Sequence, residues 1–108
     1  MSRTILEIPL KTNNIDAVLS IISRITYASG FVPQLLDGES VWCKGDGIMI
    51  KLQCFSAVFT GHSVLMNAWT RDAITGESDL EGFVSSIPKK KMKVILEEIQ
   101  TEIQRKEL

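Results

Sequence analysis

The chain has two cysteines, Cys43 and Cys54, and one histidine, His62. Thiols and imidazoles are the side chains that bind zinc, carry redox equivalents or move protons near neutral pH. Cys43 and Cys54 lack the Cys-x-x-Cys spacing of redox motifs and zinc ribbons. A structural zinc needs about four ligands, so none is expected, and both cysteines read as small packing side chains. His62 falls in a turn signal, Thr60-Gly61-His62, with no nucleophile signature beside it. Acid–base work requires a partner and a pocket, so His62 reads as a solvated turn residue. No catalytic residue, metal or cofactor is expected.

Two charge clusters remain. Asp72, Glu77, Asp79 and Glu81 gather the oxygens that Ca²⁺ or Mg²⁺ would require, but without the alternate-position ligands and closing Glu of an EF-hand. The segment 72–81 therefore reads as a solvated loop in which Ser78 or Asp79 caps local turns. Lys89, Lys90, Lys91 and Lys93 crowd the start of a helical pattern, where amides and cations together suit an anion. No Gly-rich phosphate loop precedes them, and a solvated helix face is the expectation.

These residues must be positioned by a small fold. The 108 residues leave room for one core, residues 1–108 forming one domain. With 44% hydrophobic and 23% charged residues the composition is globular, and a net charge of −1 argues against coating nucleic acid or an anionic membrane by bulk electrostatics. The first residues lack the apolar core of a signal peptide, and no stretch approaches the ~18 apolar residues of a membrane span. A cytoplasmic, non-membrane protein is the expectation.

Leu6, Ile8 and Leu10 alternate with Ile5, Glu7 and Pro9, as in a half-buried strand that Pro9 brings to its end. Thr12, Asn13 and Asn14 are N-cap candidates for a helix carrying Ile15, Val18, Leu19, Ile22 and Ile25, with Gly30 at its C′ position. Turn signals at Asp37-Gly38-Glu39, Gly45-Asp46-Gly47 and Thr60-Gly61-His62 divide the next stretch into four strands at about 31–36, 40–44, 48–58 and 63–72. Residues 73–86 read as an ordered loop. Pro88 suits the first turn of a second helix with a stripe of Met92, Ile95, Leu96, Ile99 and Ile103, ending in a frayed tail near Arg105-Lys106-Glu107.

The expected fold is an α+β two-layer sandwich of order β-α-β-β-β-β-α, an antiparallel sheet with both helices on one face. This order resembles the TATA-binding-protein-like fold. The segments Trp69-Thr70-Arg71-Asp72, Gly76-Glu77-Ser78-Asp79-Leu80-Glu81-Gly82-Phe83 and Ile87-Pro88-Lys89-Lys90-Lys91 also look like small uncharacterised prokaryotic domains. That likeness brings no functional residues with it.

A turn centred on Asp46 places Trp42 opposite Ile50 and Cys43 opposite Met49. A turn centred on Gly61 places Cys54 opposite Ala68 and Leu52 opposite Thr70. One face then carries Trp42, Ile50, Leu52, Cys54, Val58, Val64, Met66 and Ala68, and is assigned to the helices. Cys43 falls on the other face, so no bond between the cysteines is expected. That face carries Met49, Lys51, Gln53, Phe55, Leu65, Asn67, Trp69 and Arg71, with Val41 and Leu36 at its side, and is too apolar for water alone. It is the candidate interaction face of a non-enzymatic module, for a homodimer or another protein partner, with the acidic loop at 72–81 as the alternative surface. The resemblance implies nucleic-acid binding as an alternative, but Lys51 and Arg71 are the only cations on the face, which makes nucleic acid unlikely. A small apolar-ligand carrier is the other alternative.

Overall fold

The computed structural model describes residues 3–46, 51–72, 76–81 and 86–108. Eight elements follow one another: β1 (Thr4–Pro9), α1 (Ile15–Ala28), β2 (Val32–Leu36), β3 (Glu39–Lys44), β4 (Leu52–Phe59), β5 (Ser63–Asp72), β6 (Gly76–Ser78) and α2 (Ser86–Arg105). The expected order is present, with one addition: β6 is a short strand where a loop was expected. The sheet runs β1-β5-β4-β3-β2 in antiparallel pairs, and β6 joins β5 beyond Thr4, along the edge that β1 also occupies.

Local chemistry sets most boundaries. The Asn14 side chain accepts from the Ala17 N–H and caps α1. At the other end Gly30 adopts φ +90°, its N–H reaches the Tyr27 carbonyl, and the Phe31 N–H reaches that of Thr26. This Schellman closure drops Phe31 into the core, where its ring lies 5.0 Å from that of Phe55. Asp37 and Gly38 both have positive φ, which is the two-residue hairpin turn that matches strand twist. The end of α2 is tied down and not frayed: the Leu108 main-chain oxygen accepts from the N–H groups of Lys11 and Thr12 at 2.7 and 2.8 Å.

Register is where expectation and structure part. Phe59 pairs with Val64, and the loop closes as a two-residue Gly61-His62 turn, with the Thr60 hydroxyl accepting from the Ser63 N–H. The turn centre lies between Gly61 and His62, half a residue past Gly61. That half residue moves every β4 partner by one, so Cys54 opposes Trp69, not Ala68, and Leu52 opposes Arg71, not Thr70. Between β3 and β4 the connection is longer than a tight turn at Asp46, and Trp42 opposes Phe55. Because the side-chain period is two, β4 is turned over as a unit.

The helix-covered face therefore carries Ile8, Phe55, Val64, Met66 and Ala68, packed against Val18, Ile22 and Ile25 of α1 and Met92, Ile95, Ile99 and Ile103 of α2. Leu52 and Cys54, assigned to this face by sequence, lie on the other, where they form a second buried cluster with Val41, Cys43 and Trp69. Val58 is exposed there. Ile50 lies outside the described residues. Among the described residues no helix is long and apolar enough to cross a membrane.

Candidate functional site

The register correction redistributes the candidate interaction face. Leu65, Asn67, Trp69 and Arg71 lie on the open side of β5 as expected, whereas Gln53 and Phe55 point to the helices. Lys51, one residue before β4, shares the parity of Gln53 and pairs with Asp72. Met49 lies outside the described residues.

Trp69 is 0% exposed, although among the described residues no helix covers its face. The Arg3 guanidinium lies 3.6 Å above its ring centroid. Arg3 Nη1 and Nη2 donate to Glu39 at 2.9 and 3.0 Å, and Nη2 and Nε donate to Glu77 at 2.8 and 3.0 Å. Two forked carboxylate contacts on one guanidinium plane, stacked on an indole, fix its position more firmly than a point charge could. Arg3 stands just before β1 and Glu39 opens β3, strands that β5 and β4 separate by roughly 14 Å in a flat sheet. The side chains cover it, and β6 brings Glu77 in from the side. The hydrogen bonds from Arg3 hold the Glu39 carboxyl below the usual carboxylate range. Those to Glu77 and then Glu39 push the Arg3 guanidinium further up, so it stays charged. Arg71 is engaged as well, with Asp37 at 3.0 Å. Part of the open face is thus closed by ion pairs over an apolar floor.

Nothing in the sequence pattern singles out Arg3. Its partners lie 36 and 74 residues away, beyond any local periodicity. The available signal was a large indole on the open side of a strand, which requires cover.

The floor brings together the two cysteines. Cys43 opposes Cys54 directly, and Cys54 in turn opposes Trp69, a row across three strands. The sulfurs lie 2.7 Å apart, and both residues are buried. Their expected separation onto opposite faces does not hold, because β4 is turned over.

The charge clusters are dispersed into separate contacts. Asp72 meets Lys51, Glu77 meets Arg3, and Glu81 meets Lys93 at 2.8 Å. Asp79 caps a turn by accepting from the Glu81 N–H, as read from sequence. Lys89 is no solvated helix residue: it is 2% exposed, and its ammonium donates to the Ser78 hydroxyl and the Glu81 carbonyl at 3.0 and 2.8 Å. It pins α2 to the end of β6 and the segment that follows. Lys90 and Lys91 are exposed, and so is His62.

The surface left apolar and open is elsewhere. β2 is an edge strand, and four of its five residues, Val32 to Leu35, are exposed, Leu35 at 72%. Beside it a groove of about 440 Å³ between α1 and the β2–β3 hairpin is lined by Leu19, Ser23, Pro33, Gln34, Leu35, Ser40, Val41 and Trp42. None of these is charged. Comparison with protein-family models, curated proteins and solved structures found no match to this chain.

Proposed function

We propose that the protein is a non-enzymatic interaction module that pairs with a second copy of itself along β2. The observation that carries this reading is the uncharged, exposed edge of β2 beside an uncharged apolar groove. An edge strand presents unpaired backbone groups to any extended segment, and protective edges use charges, bulges or proline. Here Pro33 is the single such device. A strand without charge meets its own copy without repulsion, and a two-fold operation brings both edges and both grooves together. The opposite edge carries Glu7 in β1, which would repel a second copy.

The open face supports this role less well. What stays exposed there is a small patch of Ile5 at 61% and Val58 at 48%, with Leu65 between them. Its expected cations, Lys51 and Arg71, are both held by aspartates, which also weakens the nucleic-acid alternative. The likeness to the TATA-binding-protein-like fold is read as one of architecture alone. A cytoplasmic setting is proposed on composition: two cysteines in a domain of this size are few for a secreted scaffold.

Light scattering over a concentration series tests the reading. A dimer that Leu35→Lys dissociates and Val58→Lys leaves intact is the expected result. A strict monomer at high concentration would overturn self-association, and loss of the dimer with Val58→Lys alone would return the contact to the open face.

A further inference from the structure

We propose that Cys43 and Cys54 form a modification site: a reversible disulfide across β3 and β4, made by a hydroperoxide and opened by a dithiol. The first ground is register. Directly opposed residues of an antiparallel pair have Cα atoms about 4.5–5.5 Å apart, inside the roughly 4.4–6.8 Å that disulfides span. Cys43 and Cys54 are such a pair, with side chains on the same face. The second ground is contact: the sulfurs already touch at 2.7 Å, so bond formation needs no movement of either strand. The third is surroundings. The pair sits on an apolar floor beside Leu52 and Trp69, with no metal-binding group of His, Cys, Asp or Glu among the described residues to compete for the thiols.

The two thiols are unequal in a way that suits stepwise oxidation. The hydrogen bond between the two sulfurs holds the Cys43 thiol below its ordinary value, while the same bond and burial push the Cys54 thiol up. Cys43 is therefore the attacking sulfur. With hydrogen peroxide as the hydroperoxide, Cys43 attacks one oxygen, the O–O bond breaks, the Cys43 proton leaves with the departing hydroxide as water, and Cys43 becomes a sulfenic acid. The Cys54 sulfur then attacks Cys43: the S–S bond forms, the S–O bond breaks, and the hydroxyl takes the Cys54 proton to leave as a second water. Two thiols lose two electrons, and the peroxide gains them. A small oxidant is specified because Cys43 and Cys54 are 1% and 0% exposed. Reduction is thiol–disulfide exchange, in which the dithiol becomes the disulfide and two thiols are restored.

The test uses the full chain in native buffer. Reduced protein is treated with a small excess of hydrogen peroxide, unfolded in iodoacetamide, and weighed intact, then digested without reductant. The expected product is a monomer two hydrogens lighter, with neither cysteine alkylated and a cross-linked peptide joining Cys43 to Cys54. Dithiothreitol restores alkylation of both, and the oxidised chain melts higher by on the order of 10 °C. Two fully alkylated cysteines after peroxide would overturn the proposal. So would sulfinic acid or an intermolecular disulfide as the main product.

Discussion

Arg3 shows how much one side chain outside any regular element can organise. It covers Trp69 and ties β1, β3 and β6 through Glu39 and Glu77. Replacing it by alanine uncovers the indole and leaves two partly buried carboxylates without their partner. The expected cost is about 1–3 kcal/mol, the range for hydrogen bonds to charged groups, with partial exposure of Arg3 keeping the value from rising further. Urea unfolding of Arg3→Ala measures it. The same pair makes stability depend on acid. The folded-state pKa of Glu39 is depressed by Arg3, so its contribution is present above the ordinary carboxylate pKa and is lost as pH falls through the folded value. The gap in stability between the native chain and Arg3→Ala should therefore shrink as pH drops below about 4. A gap constant from pH 7 to pH 3 would contradict this. None of these contacts is legible in the sequence, since each joins residues far apart along the chain.

At the scale of elements, turns decide faces. The periodicities of α1, α2 and β1 are local properties, and these elements appear with the buried residues read for them, Ile8, Val18, Ile22, Met92 and Ile99 among them. The β4 strand was equally recognisable as a strand, yet its inward face was not. Leu52, Cys54 and Val58 make as good an apolar row as Phe55, Ala57 and Phe59, and a turn centre displaced by half a residue selects between them. The signal that could have resolved it is Gly61 itself. Its φ of +100° ahead of His62, which has no positive φ, is the arrangement in which glycine takes the first of two loop positions. Gly61→Ala should cost about 1–2 kcal/mol, wholly through the backbone, since an added Cβ would meet nothing within 4 Å. The face assignment has its own test. Phe55→Ala should cost about 3–5 kcal/mol, whereas Val58→Ala at an exposed position should stay within about 0.5 kcal/mol of the native chain in denaturant unfolding.

The whole molecule joins two cores of different construction on one sheet. The larger is apolar side chain against helix; the smaller is apolar floor under ion pairs, and it holds the two thiols. With the open face covered in this way, the proposed self-association is assigned to the β2 edge. The proposed dimer and the proposed disulfide use different strands, so an oxidised chain should scatter light as the reduced one does, and a change of oligomeric state on oxidation would show the two to be coupled. The sequence by itself determined the types and order of the main elements, the caps of α1, the hairpin turn at Asp37-Gly38 and the core stripe of α2. These depend on propensity and period within a few residues, where the chain is its own context. Only the tertiary structure decided that Phe55 faces inward, that Trp69 lies beneath Arg3, that Lys89 is buried and that Cys43 meets Cys54. Each of those rests on register or on contacts between distant segments, and a shift of one residue in strand pairing, invisible to local periodicity, exchanges one face of a strand for the other.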